Sequence, residues 1–252
     1  MNRESILTLT SVFKNFGGVT AVQNLTLQIP EKGICGLIGP NGAGKTTVFN
    51  LITGVYPCSK GSIKTGDQEL TRLKPYQITR LGIARTFQTI RLFKSMTTWE
   101  HVRVAQRSFP KEEGSEASGR GGEERNFRTE ADEILDLLGL GNFRSLLATT
   151  LPYGTQRKVE IARALAIQPE VLLLDEPAAG LNIHETEDLL KTLEKIHRRG
   201  ITLLIIEHDM RIIMGLCDPI FVLNFGQLIA AGTPDAIRRN DQVIEAYLGK
   251  EE

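Results

Sequence analysis

A glycine-rich segment near the start of the chain reads Gly39-Pro40-Asn41-Gly42-Ala43-Gly44-Lys45-Thr46. It matches the phosphate-binding loop pattern G-x-x-x-x-G-K-[ST] and lies between a predicted strand, Ile34–Ile38, and a predicted helix, Lys45–Thr53. The glycines allow backbone N–H groups to converge on phosphate oxygens, and the N-terminus of the helix adds a favourable dipole. The pattern predicts that Lys45 neutralises the terminal phosphates of a nucleotide and that the Thr46 hydroxyl ligates Mg²⁺.

Two adjacent carboxylates, Asp175 and Glu176, follow a second apolar strand, Val171–Leu174. An enzyme with a phosphate-binding loop needs an acidic partner for its metal ion. We expect Asp175 to hold Mg²⁺ through water and Glu176 to polarise the attacking water. The loop alone leaves kinases, GTPases and many ATPases open, and the acid pair narrows this range.

Two hydrophobic patterns indicate the elements that position these residues. Ile6–Val12 and Val22–Ile29 alternate apolar and polar residues, as half-buried strands do, and Gly61–Leu70 indicates a strand or a hairpin with a turn at Gly66-Asp67. Continuous apolar strands, which are typical of a parallel sheet covered on both faces, alternate with predicted helices farther along. These further elements are the strands Ile201–Ile206, Ile220–Leu223 and Gln227–Ala231, the helix His184–Arg199, and a helix that Thr233 caps and Pro234 begins.

The stretch from about Arg91 to about Gln168 interrupts this alternation and is predicted to be helical. Thr97 to Glu100 fit a capping box that opens a helix through Val104. Pro110–Asn126 is rich in glycine and charge and is predicted to be a flexible surface loop. Helices are predicted over Phe127–Leu138 and Gln156–Ile167.

Composition narrows the class of protein. Lys plus Arg and Asp plus Glu each number 30, and the sequence pI is about 6.9, so the basic excess typical of nucleic-acid binders is missing and no nucleic-acid partner is expected. Cys35, Cys58 and Cys217 are far apart without metal-ligand spacing and are predicted to be reduced thiols. No apolar run approaches the ~20 residues that span a bilayer, so any membrane role is expected to run through a partner.

Five further elements resemble those of the ABC ATPase family and occur in the family's order, so that the similarity covers nearly the whole chain. They are the aromatic Phe16, the glutamine Gln88, the signature-like segment Leu151–Gln156 followed by Val159–Leu165, the D-loop-like segment Ala178–Asn182, and the histidine His208.

The resemblance implies a single α/β domain over residues 1–252 with the P-loop NTPase fold. Its parts are a mostly parallel RecA-like core, an antiparallel β subdomain and a helical subdomain. Residues 1–90 and 169–252 are expected to form the catalytic core with the β subdomain. Residues 91–168 are expected to form the helical subdomain that carries the signature loop.

The resemblance also implies site roles, with ATP and Mg²⁺ as cofactors. The expected catalytic residues are Glu176, His208, Gln88 and Lys45, and the expected metal ligands are Thr46, Gln88 and Asp175. The residues expected to contact ATP are Phe16 at the adenine, Gly39, Pro40, Asn41, Gly42, Ala43, Gly44, Lys45, Thr46 and Thr47 at the phosphates, and Tyr153, Gly154 and Thr155 at the ATP of an opposing subunit.

Finer features, such as Asn50–Pro57, Ala84–Gln88 and Ile90–Phe93, resemble the LivG-type ATPases of branched-chain amino-acid importers. This resemblance implies a second ATPase subunit, either a LivF-type partner or another copy of the chain. It also implies two transmembrane permease subunits and, indirectly, a periplasmic or extracellular substrate-binding protein. The expected location is the cytoplasmic face of the inner (plasma) membrane, held there by the permeases.

The sequence departs from the general family at three positions. Pro152 replaces a serine whose hydroxyl would donate to the γ-phosphate, and proline cannot do so. Thr155 stands at a glutamine position. Asn182 replaces an aspartate of the D-loop, which keeps one acceptor oxygen and loses the charge.

Three alternatives remain open. The first is the ATPase of an ABC transporter for another solute, which neighbouring genes for permeases and a binding protein would discriminate. The second is a soluble ABC ATPase acting on ribosomes or DNA, although those usually carry two fused halves or long coiled-coil insertions. The third is a P-loop kinase, which the signature-like segment and His208 disfavour.

Overall fold

Two β-sheets and a group of helices make up the computed structural model, which describes residues 5–108 and 120–248. Its strands are β1 (Ser5–Phe16), β2 (Val19–Pro30), β3 (Ile34–Ile38), β4 (Lys60–Thr65), β5 (Gln68–Glu69), β6 (Ile83–Arg85), β7 (Val171–Asp175), β8 (Thr202–Ile206), β9 (Ile220–Asn224) and β10 (Gln227–Gly232). Its α-helices are α1 (Lys45–Ile52), α2 (Pro75–Arg80), α3 (Thr98–Ser108), α4 (Arg120–Leu137), α5 (Tyr153–Leu165), α6 (Ile183–Arg198), α7 (Met210–Leu216), α8 (Pro234–Arg238) and α9 (Asp241–Leu248).

The larger sheet has the strand order β10-β9-β3-β8-β7-β6, and all of its pairings are parallel except that of β10 with β9. Every residue of β3, β7 and β8 is buried. Successive side chains of these strands join different apolar clusters: Leu172 packs with helical residues such as Val159, whereas Leu173 packs with Phe49 of α1. The predicted parallel sheet covered on both faces is therefore confirmed.

The smaller sheet is antiparallel, with the order β2-β1-β4-β5, and the predicted hairpin turn at Gly66-Asp67 joins β4 to β5. Strands β1 and β2 are longer than their alternating patterns predicted. Their pairing is irregular between Leu9 and Val12, and Ser11 and Asn24 have positive φ angles. A bulge shifts the alternation of faces, so the strands continue past the point where the simple pattern ends.

Helices α3, α4 and α5 occupy the stretch between β6 and β7. The predicted capping box is present, because the Thr97 N–H donates to Glu100 Oε2 at 2.7 Å and the Glu100 N–H donates to Thr97 Oγ1 at 3.3 Å. The predicted helix Gln156–Ile167 is wrong at its start, since α5 begins at Tyr153 directly after Pro152. Tyr153, Gly154 and Thr155 therefore form the first turn of a helix rather than a loop.

The predicted loop Pro110–Asn126 is wrong over its last part. Residues 110–119 lie outside the described residues, but α4 begins at Arg120 rather than at Phe127. Glutamate and arginine favour helices without producing an apolar periodicity. Ala131 and Leu135, in the second half of α4, are buried, and this is the part that the apolar pattern could detect.

The cysteines and the helix lengths bear on two of the expectations from the sequence. Cys35 and Cys217 are buried, Cys58 is partly buried, and all three are free thiols, as predicted. Within the described residues, no helix has the length and apolar character needed to cross a bilayer.

Helix α6 is capped by Asn182, the residue that departs from the D-loop pattern. Asn182 Oδ1 accepts from the Glu185 N–H at 3.0 Å, and Glu185 Oε2 accepts from the Asn182 N–H at 3.0 Å. We predict that Asn182→Ala lowers the free energy of unfolding by about 1 kcal/mol, because the Glu185 N–H at the start of α6 loses its side-chain acceptor. The matched variant Asn182→Asp keeps the acceptor and should leave stability unchanged. Urea denaturation measures both, and equal losses in the two variants would contradict the capping role.

Candidate nucleotide-binding site

The phosphate-binding loop, Gly39–Thr46, joins β3 to α1 and requires glycine at two points. Gly39 has φ +148°, and a Cβ there would lie 2.1 Å from the Leu223 carbonyl oxygen of β9. Gly44 has φ +101°, and a Cβ there would lie 2.6 Å from the Ala21 carbonyl oxygen. Both backbone conformation and space exclude a side chain at these positions. The loop is therefore seated tightly on its neighbours while its open side, with Asn41 and Gly42, is exposed.

Lys45 lies at the start of α1 and folds back over the loop. Its Nζ donates to the Gly39 carbonyl at 2.6 Å and to the Pro40 carbonyl at 2.9 Å. Burial lowers the pKa of Lys45, and the nearby charges of Glu176 and Asp175 oppose that shift. The ammonium group is therefore bonded to the loop and lies within electrostatic reach of the two carboxylates.

Asp175, at the end of β7, is paired with a cation that the sequence reasoning did not single out. Its Oδ2 accepts from Arg85 at 2.8 Å, and both side chains are almost fully buried. Arg85 also donates to Asn50 Oδ1 of α1 at 2.7 Å, and its guanidinium lies between the rings of Phe49 and Phe87, at 5.4 and 5.1 Å. Arg85 thereby ties β6, β7 and α1 together at the base of the site.

Glu176 is the point at which the predicted catalytic side chains meet. Its Oε2 accepts from Gln88 Nε2 at 2.8 Å, and His208 Nδ1 lies 3.9 Å from the same oxygen. Glu176 has φ +46°, a left-handed conformation that is costly for a residue with a side chain, and its N–H donates to Ile206 of β8 at 2.9 Å. Strained backbone of this kind is found at functional sites when the surrounding structure holds it in place.

The donor set of the predicted metal ligands fits Mg²⁺. The Thr46 hydroxyl is exposed at the loop, and the Asp175 carboxylate and the Gln88 amide offer further oxygens. Within the described ranges, no group of three histidine, cysteine or acidic residues is placed to hold a metal ion by itself. Mg²⁺ commonly takes one or two protein ligands and completes its shell with water and substrate phosphates, and these oxygens suit that pattern.

Phe16, the predicted adenine contact, has a ring that is 42% exposed. Tyr56 packs against it edge to face with ring centroids 5.1 Å apart, and the Lys14 ammonium lies 4.7 Å from the ring centroid. Phe16 is therefore a supported, partly exposed ring rather than a core residue. Tyr56 was missed as a member of this cluster, although it lies within the segment Asn50–Pro57.

Tyr153, Gly154 and Thr155, the residues predicted to contact an opposing ATP, form the first turn of α5. Pro152 is the N-cap and supplies no side-chain hydrogen bond. A Cβ on Gly154 would lie 2.8 Å from Glu185 Oε1 of α6, so this turn packs closely on the helix that follows the D-loop-like segment. In the part of the chain that the structure describes, no hydrogen bond or ion pair joins this turn to the phosphate-binding loop.

Comparison with known proteins identifies the family. The family model for ABC transporters matches residues 22–179. The chain belongs to the ABC transporter family, as one of its ATP-binding, ATP-hydrolysing subunits. A second model, described as branched-chain amino acid ATP-binding cassette transporter, matches residues 227–252 of this ABC ATPase.

Individual relatives match over almost their full length. The chain is 43% identical to LivG of Escherichia coli (strain K12), described as a high-affinity branched-chain amino acid transport ATP-binding protein, over 98% of this chain and 99% of LivG. It is 43% identical to BraF of Pseudomonas aeruginosa, which has the same description, over 97% of this chain and 98% of BraF. The crystal structure of a nucleotide-free ATP-binding cassette from an ABC transporter superposes with a TM-score of 0.86 at 30% identity, covering 98% of this chain and 100% of that one. The predicted fold class and family are thus confirmed.

The buried Arg85–Asp175 pair generates a stability prediction. We predict that Arg85→Met lowers the free energy of unfolding by about 3 kcal/mol, because Asp175 would keep a buried charge without its cation. Arg80→Met is the matched control: Arg80 is exposed on α2, where it packs on the Tyr76 ring at 5.8 Å, and its loss should change stability by less than about 0.5 kcal/mol. Urea denaturation without nucleotide measures both. If Arg85→Met unfolded at the parent midpoint, Asp175 would not depend on this pair.

Proposed function

We propose that this chain hydrolyses ATP at a site formed by Lys45, Gln88, Glu176 and His208 and thereby powers an importer of branched-chain amino acids. The observation that carries the catalytic part is the meeting of the Gln88 amide and His208 at the Glu176 carboxylate, with contacts of 2.8 and 3.9 Å. Glu176 follows the buried Asp175, so one strand end carries both the expected metal ligand and the expected base.

The residues divide the chemistry as follows. Lys45 exchanges the Gly39 and Pro40 carbonyls for phosphate oxygens when ATP enters, and its positive charge offsets their negative charge. Glu176 Oε2 accepts the proton of the attacking water, while Gln88 and His208 orient that water and the γ-phosphate. Thr46, Gln88 and Asp175 would hold Mg²⁺, which would supply positive charge that offsets the charge of the phosphates. Phe16 offers its exposed ring to the adenine.

The first turn of α5 completes the site of a second ATPase subunit in this proposal. ABC ATPases work as dimers with membrane permease subunits. The first N–H groups of a helix have no partner within the helix, and the helix dipole favours an anion at that end. Because Pro152 brings no hydroxyl, the backbone N–H groups of Tyr153, Gly154 and Thr155 carry this contact.

The close contact with Glu185 shapes how Gly154 can be tested. An aspartate at position 154 would meet both the opposing phosphate and the Glu185 carboxylate of its own subunit. Weaker pairing of such a variant would therefore not separate the two repulsions. Pro152→Ser, which adds a donor without a charge, is the cleaner probe of this turn.

The partners and the solute come from the relatives. LivG and BraF are described as branched-chain amino acid transport proteins, and at 43% identity their descriptions support the same class of solute here. We propose a LivF-type second ATPase, two transmembrane permeases that hold the chain at the cytoplasmic face of the membrane, and a substrate-binding protein on the other side.

The proposal also divides the chain into two parts. Residues 91–168 are the helical part that carries the signature loop, and residues 1–90 and 169–252 are the catalytic part with the β subdomain.

Leucine uptake into proteoliposomes tests both halves of the proposal. The chain is reconstituted with its second ATPase, permeases and binding protein, and uptake of labelled leucine is measured with ATP inside, with unlabelled valine or lysine as competitor. We predict ATP-dependent uptake that valine reduces and lysine does not. Glu176→Gln should slow hydrolysis and uptake at least ~10²-fold, the scale of a lost general base, while ATP binding is kept.

The matched control is Glu194→Gln, which should transport like the parent, because Glu194 is an exposed residue of α6 that pairs with the exposed Arg198 of the same helix. Parent-like turnover in Glu176→Gln would overturn the catalytic assignment. If another solute stimulates hydrolysis and leucine and valine do not, the proposed solute is wrong and the ATPase assignment stands.

A further inference from the structure

The largest fully buried side chain of the described residues is charged: Arg157, on the second turn of α5, has no exposed surface. Its Nη1 donates to the Phe87 carbonyl at 2.8 Å and to Glu160 Oε2 at 3.0 Å, and its Nη2 donates to the Gln88 carbonyl at 2.8 Å. Glu160 Oε1 accepts from the Phe87 N–H at 3.4 Å. Arg157 and Glu160 thus bind the Phe87-Gln88 backbone together, the guanidinium through both carbonyls and the carboxylate through the Phe87 N–H.

The same arginine reaches the start of its helix. Its Nη2 also donates to the Tyr153 hydroxyl at 3.4 Å, and its guanidinium lies 5.9 Å from the Tyr153 ring centroid. On the other side, Gln88 continues through its own amide to Glu176 Oε2 at 2.8 Å. Hydrogen bonds and the Gln88 residue itself therefore connect the first turn of α5, through Arg157, to the Glu176 carboxylate just after β7.

Burying the charges of Arg157 and Glu160 costs desolvation free energy, and packing alone does not explain why they are buried. Burial raises the pKa of Glu160, and Arg157 opposes that rise. Arg157 Nε is buried with no hydrogen-bond partner. A buried ion pair is often no more stabilising than well-packed apolar residues, so its value lies in the geometry that it imposes. Here the imposed geometry is the position of the Gln88 main chain relative to α5.

We propose that Arg157 and Glu160 are positioning residues which clamp the Phe87-Gln88 backbone to α5, so that the Gln88 amide reaches Glu176 only while α5 holds its place. This inference rests on the proposed roles of Gln88 and Glu176 in hydrolysis. A shift of the first turn of α5, which faces the partner's ATP in the proposed function, then moves the Gln88 amide relative to Glu176.

A double-mutant cycle tests the clamp in the assembled transporter with ATP. Arg157→Met with Glu160→Met removes the clamp without leaving an unpaired buried charge. We expect kcat to fall at least about tenfold with little change in the KM for ATP, since small misplacements of a catalytic group cost rate rather than substrate binding. In a Gln88→Ala background the same pair of substitutions should have no further effect, because the group that it positions is gone.

Arg157→Lys is the second variant. It keeps a charge beside Glu160 but cannot donate through a rigid fork to two carbonyls and a carboxylate, so it should show the same dependence on Gln88 even if the double methionine variant fails to fold. Lys158→Met is the matched control on the same helix, because Lys158 pairs with Asp188 of α6 instead of the Gln88 backbone, and it should keep the parent kcat. Thermal unfolding of each variant checks that it is folded.

The outcomes separate this inference from the proposed function. If Gln88→Ala lowers kcat but neither clamp variant does, the clamp is wrong and the function stands. Equal losses from the clamp variants with and without the Gln88 side chain would show a merely structural role and would overturn the inference. If the parent assembly does not hydrolyse ATP, the proposed function itself fails.

Discussion

The constraint on which this site depends is electrostatic: phosphate groups must be held beside two carboxylates. Lys45 is the cation at that junction, hydrogen-bonded to two loop carbonyls and close to the charges of Asp175 and Glu176. The loop can wrap around a phosphate only if its backbone N–H groups face inward, which Gly39 and Gly44 permit through their positive φ angles. Arg85 pairs with Asp175, and Lys45 is the cation that we expect to meet the phosphates.

The parallel sheet satisfies this constraint by bringing distant parts of the chain to one edge. The phosphate-binding loop follows β3, Asp175 ends β7, His208 follows β8 and Gln88 follows β6. Since these strands are parallel neighbours, their carboxyl ends lie together, and ligands of such sheets bind there. Helix α5 reaches the same edge through Arg157, which donates to the Phe87 and Gln88 carbonyls. The parallel arrangement of β3, β8, β7 and β6 thus brings residues from separate stretches of sequence close to the Glu176 carboxylate.

The sequence predicted those parts of the site that local patterns encode. The phosphate-binding loop, the acid pair and the capping box at Thr97 each consist of residues close together in the chain. The Arg85–Asp175 pair could not be predicted this way, because its partners are far apart in sequence and nothing near Arg85 shows which carboxylate it meets. Arg157 was missed for a similar reason, since a charged residue on a helix is ordinarily expected at the surface.

The errors in helix boundaries have physical causes too. At α5, the helix was predicted to begin only at Gln156, whereas proline is compatible with a helix start and Gly154 lies close to Glu185 of α6. At α4, the first turns carry polar residues that a search for apolar periodicity passes over. The roles of all the predicted catalytic, metal-binding and ATP-contacting residues remain predictions, because they concern a ligand and a second subunit.

The position of bound nucleotide is the most direct test of whether Lys45 holds phosphates beside Asp175 and Glu176. A crystal structure of the full chain with Mg²⁺ and a non-hydrolysable ATP analogue measures it. We predict that Lys45 Nζ leaves the Gly39 and Pro40 carbonyls for the terminal phosphates, and that the γ-phosphate faces Glu176 and Gln88 with the adenine against Phe16. A nucleotide bound elsewhere, with Lys45 still bonded to the two carbonyls, would contradict it.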